Sequence, residues 1–105
     1  MFSRTTYYQV KVLKVSKMNG IKVITADAYI LGEVDGAHAD TDTWEITHLD
    51  VGLTKDATKE LGFKKPILGY LSVCLPVSAV NEFGDVITLK HSLQEFKNLK
   101  ECKVE

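Results

Sequence analysis

Hydrophobic and polar residues alternate along most of this chain with a period of two, the pattern of strands that bury one face. Tyr8, Val10 and Val12 alternate with Gln9 and Lys11. Leu13 and Val15 then carry the apolar phase onto the opposite parity. A slip of one residue predicts a β-bulge or a strong bend. Residues 18–20 read as a turn, 21–25 as a strand, Asp27 as a turn, and 29–34 as the opening of a third strand. Residues 40–43 carry the best hairpin signal, because Asp and Thr side chains hydrogen-bond nearby backbone groups and hold turns. Beyond it Trp44 and Ile46 alternate, and Leu49, Val51 and Leu53 switch parity, which places an inserted residue near Thr47 and His48. Two slips favour a tightly coiled sheet, the kind of bending by which small barrels close. Trp44, directly after the turn, is expected at an edge of the core.

One helix follows. Thr54 can cap it, Asp56 sits in its first turn, and Gly62 can take the left-handed position that ends it. Ala57 and Leu61 share a face, and Phe63 is placed to fold back on the last turn. Leu71, Val73 and Leu75 line one face of a further strand, with Tyr70, Ser72 and Cys74 on the other. Pro76 cannot donate to a ladder, so it ends that strand or lies on an edge. Residues 83–85 turn into a last strand over 86–89. The tail from Ser92 predicts a helix: Ser92 and Glu95 fit a capping box, and Leu93, Phe96 and Leu99 recur every three residues. No repeat, low-complexity tract or linker interrupts the chain.

A length of 105 residues accommodates one domain, and 45% hydrophobic with 26% charged residues is an ordinary globular composition. Thirteen basic and fourteen acidic residues leave a net charge of -1. That argues against a dedicated nucleic-acid binder, which needs excess Lys and Arg to displace phosphate counterions. No apolar run approaches the roughly 20 residues that span a bilayer, and the opening MFSRTTYYQV has no hydrophobic signal region. A cytoplasmic protein without direct membrane insertion is the expectation. Cys74 and Cys102 are too few and too far apart for a disulfide framework. Cys74 reads as a small buried hydrophobe, and Cys102 as exposed.

The stretch from Leu31 to Val51 holds six acids, two of the three histidines and the only tryptophan, so it was tested for chemistry. Counted from Asp40, a calcium loop would need glycine at its sixth position and an acid at its twelfth; Glu45 and Val51 stand there. His38 and His48 lack zinc-ligand spacing. Folding the hairpin about Thr41 and Asp42 puts Asp35 opposite His48, a surface pair. No nucleophile motif or phosphate-cradling glycine loop is present. These residues predict no catalytic site, no metal and no cofactor.

The order of the pieces resembles the PRC-barrel family. NGIKVITADAYILGEVDGAHADTDTWEITHLDV resembles its opening half: a glycine before a strand, an acidic turn into a Leu-Gly-x-Val strand, and a second acidic turn into an Ile-x-x-Leu-x-Val strand. LPVSAVNEFGDVITL resembles the closing half, and TKDATKELGFKKPILG resembles the helix common in archaeal single-domain members. The resemblance covers about residues 12–95 and implies a small, strongly bent antiparallel β-barrel with one short helix; with the N-terminal strand extension over 1–11, which has no counterpart in the family's common core, and the C-terminal helical tail over 92–105, the expectation is a single domain over residues 1–105.

The family is used as an adaptor rather than as an enzyme. The resemblance therefore implies a non-enzymatic protein–protein adaptor in archaeal cell division. Its expected partners are a second copy or a related PRC-barrel protein, and the SepF-type anchor of the FtsZ ring; recruitment to the division site follows. The alternative is a ribosome- or RNA-associated factor in the manner of RimM, which would require a basic patch. A metal-dependent enzyme would require a pocket converging on His38 and His48. The candidate interaction surface consists of Tyr7, Tyr8 and Val10 in the N-terminal strand, where tyrosine suits a half-wet contact, and Leu93 and Phe96 in the tail.

Overall fold

Each strand stops where its local chemistry stops it. A computed structural model describes residues 13–101. Strand β1 (Lys22–Ile24) ends at Thr25, whose hydroxyl accepts the Tyr29 N–H in a tight turn. Strand β2 (Ile30–Ala39) runs to Asp40, whose carboxylate accepts the N–H groups of Asp42 and Thr43. Strand β3 (Ile46–Leu53) then returns and leads into helix α1 (Lys55–Glu60). The Thr54 hydroxyl caps that helix by accepting the Ala57 N–H at 3.0 Å. Gly62, at φ +76°, closes it in the left-handed conformation, and Phe63 donates back to the Thr58 carbonyl. Strand β4 (Ser72–Pro76) finishes at Pro76, as the missing N–H requires. A 3₁₀ turn (Val77–Ala79) leads to β5 (Val80–Phe83), and a tight reversal leads to β6 (Ile87–Leu89).

The fold is mainly β: a six-stranded sheet in the order β4-β3-β2-β1-β6-β5, with a few helical turns. Two features differ from the expected antiparallel barrel. The β1–β6 pair is parallel, with Val23 beside Ile87, so the sheet is mixed. Among the described residues β4 and β5 lie at opposite ends of the order and do not pair, so the sheet is not a closed barrel.

Register shifts fall at four places in the ladders. One lies where the parity switch predicted it: His38 pairs with His48 and Ala39 with Ile46, which leaves Thr47 as the extra residue of β3. Another leaves Asp35 unopposed on β2, between the Val34–Val51 and Gly36–Asp50 pairs. The slip between Val12 and Leu13 borders residues outside the described range. Leu13 and Lys14 are not in a strand, and Val15–Lys17 forms a 3₁₀ turn.

One layer of side chains forms the core, with Val23, Leu31, Leu49, Val51, Val73, Leu75 and Ile87 fully buried. Leu93 and Phe96, each 4% exposed, belong to it. This corrects their expected place on an interaction surface, because their apolar area is already taken out of water by their own sheet. The tail also differs from the expected helix. Ser92 and Glu95 do form the capping box, but it opens only a 3₁₀ turn (Leu93–Phe96). The chain then straightens, and the Lys100 carbonyl accepts the Cys74 N–H at the outer edge of β4. Satisfying an edge-strand donor competes here with continuing a short helix. Cys74, half-buried rather than buried, is disulfide-bonded, which corrects the reading of it as a plain core hydrophobe; the chain's only other cysteine is Cys102.

Candidate functional site

Four features mark the surface of the described residues. The first is the hairpin of β2 and β3. Its turn is centred one residue later than Thr41–Asp42, with Asp40 N–H bonded to the Glu45 carbonyl. The histidines therefore face each other across the ladder, and Asp35 does not meet His48. His38 Nε2 instead lies 2.9 Å from Asp50 Oδ2, and His48 Nδ1 lies 3.0 Å from the Thr47 hydroxyl. Each imidazole has a plain hydrogen-bond partner. Among the described residues no group of three or more His, Cys, Asp or Glu side chains is arranged to hold a metal ion.

Trp44 is not at the edge of the core. It takes a left-handed backbone (φ +60°) so that its N–H can reach the Asp40 carbonyl, and this throws the indole outward at 77% exposure. The turn geometry decides the matter, since closing the loop requires a positive φ at that position.

The second feature is a shallow cleft of about 380 Å³ floored by Gly32 and Gly52 and walled by Tyr70 and Asp35. The Tyr70 ring lies flat against Gly52; a Cβ there would come within 2.6 Å of Tyr70 Cε2. A hydrogen bond to Asp35 raises the Tyr70 pKa above the ordinary tyrosine value, with desolvation and the Asp35 charge adding to it. Asp35 is free to receive the phenol because the bulge releases it from cross-strand pairing. The Ser72 hydroxyl donates to the same carboxylate at 3.4 Å.

The third feature is the loop from α1 to β4. Ile67 is 100% exposed, Leu68 87% and Tyr70 57%, with Lys64 and Lys65 just before them. Gly69 holds φ +75°, which turns the loop so that Tyr70 lies back on the sheet while Ile67 and Leu68 project. Ile67 and Leu68 form a wetted apolar prong, with the Tyr70 ring lying on the sheet at its base. Sequence reasoning read residues 64–66 as a polar connection and assigned Ile67 and Leu68 to no element. The segment's signal was the pair Ile67–Leu68 standing between Pro66 and Gly69, outside any periodic run.

The fourth is an apolar groove of about 540 Å³ on the other flank, bounded by Leu13 and Val15, floored by Leu49, and walled by Val77, Val80 and Phe83.

Of the sequence-predicted surface residues, Tyr7, Tyr8 and Val10 lie outside the described residues, and Leu93 and Phe96 lie under the sheet. Leu93 and Phe96 are not part of the prong. No helix among the described residues is long and apolar enough to cross a membrane. In comparisons with known proteins, no family model matches the chain and no curated protein matches it.

Proposed function

We propose that this protein is a non-enzymatic protein–protein adaptor of the PRC-barrel kind. The observation that carries the reading is the exposed Ile67–Leu68 prong. Leaving such side chains in water forgoes roughly 1.5–3 kcal/mol each relative to burial. Contiguous exposed apolar groups of this sort serve contacts with other molecules. The family reading rests on the order of the sequence pieces, and the bulges at Asp35 and Thr47 are compatible with a bent sheet. In that reading the prong engages a second copy or a related PRC-barrel protein and the SepF-type anchor of an archaeal FtsZ ring.

The test is affinity capture from the native host with the wild-type chain and with the double substitution Ile67→Glu, Leu68→Glu. Both positions are solvent-exposed, so thermal unfolding of the variant should stay within about 0.5 kcal/mol of wild type. The wild type is expected to retain a division-ring anchor or a PRC-barrel partner, and the variant to lose it. Capture of ribosomal subunits instead would favour the RimM-like alternative. Equal capture by both chains would remove the prong from the mechanism.

A further inference from the structure

The Ile67–Leu68 prong stands beside a basic rim. Residues 54–70 carry four lysines, Lys55, Lys59, Lys64 and Lys65, against two acids, Asp56 and Glu60, in a chain whose net charge is -1. All four lysines are exposed, and none has an ion-pair partner among the described residues. We propose that this surface binds an acidic peptide segment of a partner protein, which sets apolar side chains against Ile67 and Leu68 and carboxylates against Lys55, Lys59 and Lys65. This assignment rests on reading Ile67 and Leu68 as an interaction prong, and it gives the partner a chemistry.

Three observations support it. First, the lysines are gathered rather than scattered. Lys55 and Lys59 stand one turn apart on α1, which puts them on one face. With Lys65, Thr58 and Phe63 they line a concavity of about 480 Å³. Second, the concavity and the prong adjoin. Lys65 precedes Ile67 by two residues, so their Cα atoms lie within about 7 Å of each other. A ligand that covers Ile67 and Leu68 comes within reach of the lysines, and a basic ligand would meet like charge there. Charges at the rim of a contact select the partner by sign.

Third, the acids of the same stretch decide the kind of anion. Asp56 also lines the concavity. Desolvation, and after it the charges of Asp56 and Glu60, raise the Tyr29 pKa, which places both acids on the flank toward Tyr29. An anionic membrane presents a continuous negative surface, which would press on those acids as well as on the lysines. A peptide brings discrete carboxylates that can be set over the lysines alone, and the concavity has room for one of its side chains. The peptide is therefore the favoured occupant.

The test pans a displayed library of random short peptides against the unmodified full chain. The most enriched peptides are synthesised and their binding is read by fluorescence anisotropy, beside the binding of vesicles of phosphatidylserine and phosphatidylcholine in equal parts. Two variants separate the parts of the surface. Lys55→Glu with Lys65→Glu reverses the rim at the first residue of α1 and in the loop after it. Ile67→Ala with Leu68→Ala removes the apolar tip without changing charge. All four positions are exposed, so urea midpoints should match wild type. Enriched peptides are expected to combine Asp or Glu with large apolar residues and to bind either variant at least about tenfold more weakly. Their affinity should also fall between about 0.1 M and 1 M salt, as the Debye length shrinks from about 10 Å to 3 Å. Peptides without acids, or peptides that tolerate the lysine reversals yet lose affinity for the alanine variant, would overturn the proposal and leave the prong reading standing. Peptides indifferent to both variants, or a library with none enriched, would overturn the proposal too, and capture from the native host then decides the prong reading separately. Lysine-dependent binding of the vesicles without an enriched peptide would assign the surface to lipid and overturn it as well.

Discussion

Adding one methyl group at Gly32 should cost this fold more than deleting many of its side chains. Gly32 lies on β2 opposite Leu53 of β3 and beside Val23 of β1, so backbone closes on it from both sides. A Cβ at this position would stand 2.0 Å from the Gly52 carbonyl oxygen, 2.8 Å from its carbon and 3.0 Å from the Leu53 Cα. All three are backbone atoms, so no side chain can swing away. Carbon–oxygen contacts settle near 3.3 Å at the closest, so the strands must part locally by about 1.3 Å.

That displacement strips one or two ladder hydrogen bonds. The bond from Thr54 N–H to the Leu31 carbonyl, 3.0 Å long, is among those at risk. At about 1 kcal/mol per bond, with 1–3 kcal/mol of overpacking strain, Gly32→Ala should destabilise by about 2–5 kcal/mol. For a domain of this size the melting temperature should fall by about 10–25 °C. Far-UV circular dichroism in a urea titration is the suitable assay, since the indole of Trp44 is largely in water and reports little of the core. Gly84→Ala is the control: its nearest neighbour would be the Val86 carbonyl at 3.9 Å. There the effect should be near zero, or a gain of up to about 1 kcal/mol from a stiffer unfolded chain. A Gly32→Ala midpoint within about 0.5 kcal/mol of wild type would refute the steric argument.

Two further outcomes follow from single side chains. Thr54→Ala removes the hydroxyl that accepts the Ala57 N–H, and should cost about 1 kcal/mol in a urea titration while Thr54→Ser restores most of it. Asp27 accepts hydrogen bonds from the Thr25 hydroxyl and the Leu93 N–H, and chiefly the former holds its carboxyl below the usual aspartate value against opposing desolvation. Because the folded pKa is depressed, the contribution is present above the unfolded pKa and lost as pH falls through the folded one. Wild type and Asp27→Asn should therefore differ in stability at neutral pH and converge on the acid side; parallel curves across that range would show that the carboxylate does not couple the β1 turn to the C-terminal segment.

What could be read in the residues was decided within a few positions of chain. The turn after Ala39 follows from Asp40 and its two backbone donors, and the helix from Thr54 at one end and Gly62 at the other. The capping box at Ser92 and the stop at Pro76 are local in the same sense. Even the bulge at Thr47 was legible, because a change of parity in a one-sided strand forces an extra residue into the ladder. Of the candidate surface, little was legible. Ile67 and Leu68 were marked only by standing outside any periodic run, and the three-residue recurrence of Leu93 and Phe96 marked an apolar face without saying what would cover it.

The sequence by itself determined which pieces form, where they turn and which of their faces are apolar, since torsional preference, capping and alternation act over neighbouring residues. Only the tertiary structure decided how the pieces meet. The parallel joining of β1 to β6 brings residues 23 and 87 together, the Lys100 carbonyl bonds to β4 where a helix was expected, and Cys74 is tied into a disulfide. Those outcomes depend on which distant edge has an unpaired donor and which apolar face lacks a neighbour, and such competition is settled in space, between segments that local pattern leaves independent.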